Sequence, residues 1–168
     1  SYNEEKMVDY FIKEFTNIGV EVEAVFPEKP FAAPYHKGIE VKYPENPRDF
    51  PVVVARLRGT HGKPVLGMTK HYNTVVVGDR KLWSVDPLAG EIIDGKIYGR
   101  GALDDHKGIA ERIELMRVIK ESGVKLRGDL VLTLVPGEGA TDFGLPWVVE
   151  HRPELIAADW YLAGNIGP

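Results

Sequence analysis

Residues 129–135 read DLVLTLV, an almost unbroken apolar run. The run is too short for a buried helix and is bounded by Gly128 and by Pro136-Gly137, so it reads as a strand. A strand without alternation fits a sheet covered on both faces. Just before it, residues 107–122 place Ile109, Ile113, Met116 and Ile119 on one helical face, with Gly123 as the stop. Residues 4–19 repeat that pattern with Met7, Val8, Phe11, Phe15 and Ile18, and end at Gly19. Residues 20–26 alternate apolar with acidic side chains, as a half-buried strand does. Residues 51–57 and 64–69 are two further strands, joined by the turn RGTHGK. A short helix is expected over 143–151 and a last strand over 158–163. The six prolines from Pro27 to Pro51 imply loops around a short strand at 38–43. Residues 75–101 read as irregular, with a turn at Asp94-Gly95. Helices and strands that alternate in this way predict an α/β, three-layer fold with a mostly parallel sheet and helices on both faces.

A chain of 168 residues suggests one domain. Its net charge of −4 gives no basis for capture of nucleic acid or an anionic membrane. No window approaches the ~18 consecutive apolar residues of a membrane span. The absence of cysteine removes a disulfide framework and a thiolate zinc site. The chain begins with Ser1 rather than Met, so a processed or trimmed chain is expected, with a cytoplasmic location as the default.

Three stretches carry chemistry. His71 lies just past the strand 64–69, and Asn73 stands two residues on. An imidazole that binds a metal has its other nitrogen held by a carboxylate or carbonyl. Asn73 offers an amide oxygen for that role but no charge. GRGALDDHKG, residues 99–108, leads into the second helix and crowds Asp104, Asp105 and His106 at its start. Read locally, the aspartates cap free N–H groups and complement the helix dipole. Read chemically, one of them bridges two metal ions ~3.5–4 Å apart. Glu138 follows the apolar strand and sits where a partly shielded glutamate serves as a general base. The tripeptide Asp142-Phe143-Gly144 spells a kinase signature, but no glycine-rich phosphate loop or His-Arg-Asp loop accompanies it.

In series, these pieces are the His71 segment, Trp83, Asp86-Pro87, DGKIYGRGALDD, GDLVLTLVPGE and AGNIGP. That order resembles the M20 family of zinc-dependent peptidases and amidohydrolases. The resemblance runs from about residue 52 to residue 168. It implies an α/β catalytic domain that binds two zinc ions, with a smaller lid (dimerisation) domain inserted into it. It implies His71 as a ligand of one zinc, Asp104 as the bridging carboxylate and Glu138 as the general base that activates water. The peptide bond after the bridging aspartate is commonly cis in the family, so Asp104–Asp105 is expected to be cis. The implied substrates are small peptides or N-acyl amino acids.

Several positions depart from the family pattern. Asn73 stands for an aspartate, and Lys70 for the glycine that usually precedes the histidine. Gly139 and Asn165 stand at two carboxylate ligand positions, and His106 is an extra residue before Lys107. A catalytic zinc takes about three protein ligands and an open position, so a chain that keeps His71 and Asp104 is expected to be catalytically impaired. Asp105 and His106 are candidate substitute ligands. The alternatives are a non-catalytic assembly or binding domain of the same fold, or an inactive engineered fragment. On this reading residues 1–168 form the N-terminal portion of the catalytic domain, without the lid and the C-terminal portion. Such a portion leaves a sheet edge open, which predicts self-association or a complementary chain.

Overall fold

The computed structural model describes residues 4–28, 51–137, 144–162 and 164. The strand expected at 38–43 lies outside them, as do Glu138, Gly139 and Asn165. Helix α1 (Glu4–Ile18) leads into strand β1 (Glu21–Val25). Strands β2 (Val52–Leu57) and β3 (Gly62–His71) follow, then the short strands β4 (Glu91–Ile93) and β5 (Lys96–Tyr98). An irregular turn over Ala102–His106 opens helix α2 (Lys107–Ser122). The remainder is β6 (Gly128–Val135), α3 (Gly144–His151), α4 (Pro153–Ile156) and β7 (Trp160–Leu162).

Five strands form one sheet in the order β1-β2-β6-β3-β7. The expected α/β class holds, and four of the five strands point the same way; β2 alone is reversed, which makes the sheet mixed. β2 runs antiparallel to both β1 and β6, while β3 runs parallel to both β6 and β7. β6 is central, and its apolar run divides between the two faces. Leu132 and Leu134 pack under α1 and α2 with Phe11, Phe15, Ile113 and Met116. Val131 and Val135 pack on the other side with Val52, Val54, Val148 and Ile156. β2 divides in the same way, with Val53 and Ala55 toward α1 and α2 and Val52 and Val54 toward α3. This two-sided cover explains why neither strand alternates in sequence.

Residues expected to be irregular contain the β4–β5 hairpin. Its turn is the expected Asp94-Gly95, with φ of +49° and +75°. Both angles are positive, as a type I′ hairpin turn requires. All six strand residues of the hairpin are exposed, so no buried face marks them in the sequence. No helix among the described residues is long and apolar enough to cross a membrane.

Candidate metal centre

β3 runs to His71 itself, two residues beyond the expected end, and this sets the site at the carboxyl end of a parallel strand. Open α/β sheets place their ligands at that end. The ring of His71 is buried, with 5% of the residue exposed. Its Nδ1 lies 3.1 Å from the backbone carbonyl of Asn73. A carbonyl only accepts, so Nδ1 carries the proton and donates. Nε2 lies 3.0 Å from Oδ1 of Asp104. Two acceptors at that distance are held together by a proton on Nε2 or by a cation between them. Histidine and carboxylate are both good donors to a divalent metal. A backbone carbonyl on the second ring nitrogen is the usual outer support of a metal-bound imidazole. The two residues therefore fit one edge of a metal site. Asp104 is about half exposed, so that edge opens to solvent.

The turn that carries Asp104 does not cap α2. Neither it nor the helix start has a side-chain cap hydrogen bond. Asp104 has φ −121° and ψ 95°, and Asp105 has φ −133° and ψ 25°, outside helical values. The Asp104–Asp105 peptide bond is cis, as the family resemblance implied. The two neighbouring carboxylates point to different partners. Asp104 meets His71, while Oδ2 of Asp105 lies 2.8 Å from Nζ of Lys70. That second contact is a charge pair set off the line of a hydrogen bond. Both of its side chains are almost fully buried, at 3% and 1% exposed.

His106 Nε2 lies 3.0 Å from the backbone carbonyl of Tyr72 and so is its donor. Tyr72 fixes the site from below. Its hydroxyl donates to the Pro51 carbonyl at 2.6 Å, and its ring meets Phe11 edge-on at 5.8 Å. Burial, and after it the nearby Glu4 carboxylate, push the Tyr72 hydroxyl well above its ordinary range, so it stays a donor. Among the described residues no three His, Cys, Asp or Glu side chains converge on one metal-sized point. His71 and Asp104 are brought together; Asp105 and His106 are turned to other partners. Sequence reasoning missed the Lys70–Asp105 pair. Its signal was a lysine directly before His71 and a second aspartate directly after Asp104.

The family model for peptidase family M20/M25/M40 matches residues 67–168. The chain belongs to this family. Among curated proteins, it is 37% identical over 92 residues to an uncharacterized metallohydrolase of Methanocaldococcus jannaschii, covering 54% of this chain and 22% of that protein. It is likewise 37% identical over 118 residues to the succinyl-diaminopimelate desuccinylase of Gluconacetobacter diazotrophicus, covering 67% of this chain and 30% of that one. Among solved structures, human carnosine dipeptidase 1 superposes with a TM-score of 0.73 at 21% identity, over 95% of this chain and 32% of that one. An M20 family metallo-carboxypeptidase from Sulfolobus solfataricus superposes with a TM-score of 0.71 at 18% identity, over 97% and 32%. These superpositions show the fold. This chain spans between about a fifth and a third of the length of these relatives. It is an M20 metallohydrolase-family domain.

Proposed function

We propose that this M20 domain binds a divalent metal, zinc by family expectation, through His71 and Asp104. The reaction is hydrolysis of an amide bond in a small peptide or an N-acyl amino acid, and catalysis is impaired in the chain as written. The observation that carries the reading is the His71 ring. Its Nδ1–H is spent on a backbone carbonyl, and its Nε2 faces a carboxylate oxygen at 3.0 Å. A divalent metal supplies Lewis-acid polarisation of an amide carbonyl. Around it, Asn73 holds the imidazole tautomer through its carbonyl, Asp104 supplies the negative charge, and Glu138 takes the role of general base. The impairment follows from Asn73, Gly139 and Asn165, which stand where the family has carboxylates. Dipeptidases and a desuccinylase among the similar proteins support the substrate class.

Calorimetric titration of the metal-stripped chain with zinc tests this. Weak binding is expected, abolished by His71→Ala and by Asp104→Asn. Asn73→Asp should tighten binding modestly, because it adds a negative charge near the site while the backbone carbonyl of residue 73 keeps its hold on Nδ1. Restoring Gly139→Glu and Asn165→Glu with it should raise dipeptide or N-acyl amino acid hydrolysis. Zinc binding indifferent to His71, or no binding at all, overturns the metal reading. Full hydrolysis by the unmodified chain overturns the impairment.

The partner surface belongs to the same reading. Among the described residues β7 pairs only with β3, and its Trp160 and Leu162 are 63% and 52% exposed. An edge strand with exposed apolar side chains is a template for another strand. A second copy of the chain at this edge gives a mass that rises with concentration in light scattering, and Trp160→Lys lowers it. A sharp monomer at micromolar concentration refutes the association.

A further inference from the structure

Lys70 is a buried cation at the end of β3, with 4% of the residue exposed. An ammonium taken out of water is destabilising by several kcal/mol unless it is paired and hydrogen-bonded. Lys70 is both. Nζ lies 2.8 Å from Oδ2 of Asp105 and donates to the backbone carbonyl of Gly164. Room for the pair comes from Gly108 in the first turn of α2. A Cβ there would lie 2.4 Å from Asp105 Oδ1 and 2.7 Å from both Cε and Nζ of Lys70.

The positions of these contacts are the informative part. Lys70 precedes His71, Asp105 follows Asp104, and Gly164 precedes Asn165. The ammonium thus joins its own strand to two other segments, and each of the three is held at the residue beside a ligand position implied by the family resemblance. Strand alternation sends the Lys70 and His71 side chains to opposite faces of β3. Lys70 therefore holds the backbone beneath the site and leaves the ligand face open. It also ties up the Asp105 carboxylate, which would otherwise compete with Asp104 for a cation.

We infer that Lys70 is a positioning residue, a buried cationic brace that locks β3 and the turn before α2 in the register that brings His71 and Asp104 together. This rests on the metal-site reading of those two residues. The physical reason is preorganisation: a site with few ligands binds only if ordering them adds little further entropy loss on binding.

The test uses the whole chain and the double variant Lys70→Met/Asp105→Leu, which replaces a buried ion pair with apolar groups of similar size and so is compatible with folding. Two readouts are taken. The first is zinc affinity by calorimetry, expected to fall by about tenfold or more. The second is made without metal: the Nδ1–H signal of His71 in the NMR spectrum and amide hydrogen exchange at residues 104–106. The ring proton should broaden and exchange at 104–106 should quicken by about tenfold or more, while the β2 and β6 amides keep their protection. Gly108→Ala crowds the same pair while keeping both charges, and it should move both readouts in the same direction even if the double variant does not fold. Unchanged zinc affinity with unchanged exchange at 104–106 overturns the brace. A parent chain that binds no zinc defeats the metal reading instead, and the metal-free readout still decides the brace.

Discussion

Glu4 gives the sharpest prediction of stability. It is the first residue of α1, 7% exposed, and its Oε2 has no hydrogen-bond partner. Burial pushes its carboxyl from the ordinary 4.5 up to about 7. A helix N-terminus favours a negative charge, so here desolvation outweighs the dipole. The folded chain holds this proton more tightly than the unfolded one. The contribution to stability is complete below about pH 4.5 and is lost as pH rises through about 7. Taken in full, the displacement corresponds to about 3 kcal/mol. Water reaching the end of the first helical turn reduces it, and about 1.5 kcal/mol is the working value. Glu4→Gln keeps the shape and removes the titration. Urea unfolding of both chains near pH 5 and near pH 8 isolates the effect, because every other group titrates alike in the two. The variant should match the parent at the lower pH and exceed it by about 1–2 kcal/mol at the higher. At this chain length that is a rise of about 3–7 °C in melting temperature. Parallel pH profiles for the two chains would refute the reasoning, since they would mean that the Glu4 carboxylate is solvated.

Asp129 predicts the opposite slope. Its carboxylate is 2% exposed and takes Gly59 N–H at 2.8 Å, Arg56 at 3.0 Å and Arg58 at 3.3 Å. Burial raises its pKa, but these three donors more than reverse that and hold it below 3.8. Its contribution is therefore present above pH 3.8 and lost as pH falls through the lower folded value. Asp129→Asn should destabilise by about 2–3 kcal/mol at neutral pH and by less near pH 3, in thermal melts; an equal loss at both pH values contradicts it. At Gly67, a Cβ would lie 2.5 Å from the Tyr161 ring, so Gly67→Ala should cost about 1–3 kcal/mol. Hydrogen exchange should quicken in β7 but not in β2, and uniform loss of protection would show that β7 is no separate unit.

The two long helices and the central strand were legible because their signal is local. The apolar spacing of α1 and α2 and the unbroken run of β6 each follow from a face, or two faces, that must be buried. The hairpin β4–β5 shows the converse: only its turn residues spoke, because its six strand residues bury nothing. The antiparallel placement of β2 was not legible, since pairing between β2 and β6 joins Val53 to Leu134 across nearly half of the chain. Order along a sequence does not determine order across a sheet.

Asp104 and Asp105 mark where local reasoning gives way. As neighbours before a helix, both invite the same reading as caps, and the structure gives that role to neither. An extended turn sends one carboxylate to His71, 33 positions away, and the other to Lys70. Nothing in the dipeptide itself chooses between these partners. The choice is made by the far side of each contact: a buried imidazole whose proton is already committed, and a buried ammonium with room only because residue 108 is glycine. The resemblance to a family named His71 and Asp104 together as expected site residues, and the structure brings their side chains within 3.0 Å. It did not name the second, the pairing of Lys70 with Asp105. The Lys70–Asp105 pair is consequently the contact of this site least legible in the sequence.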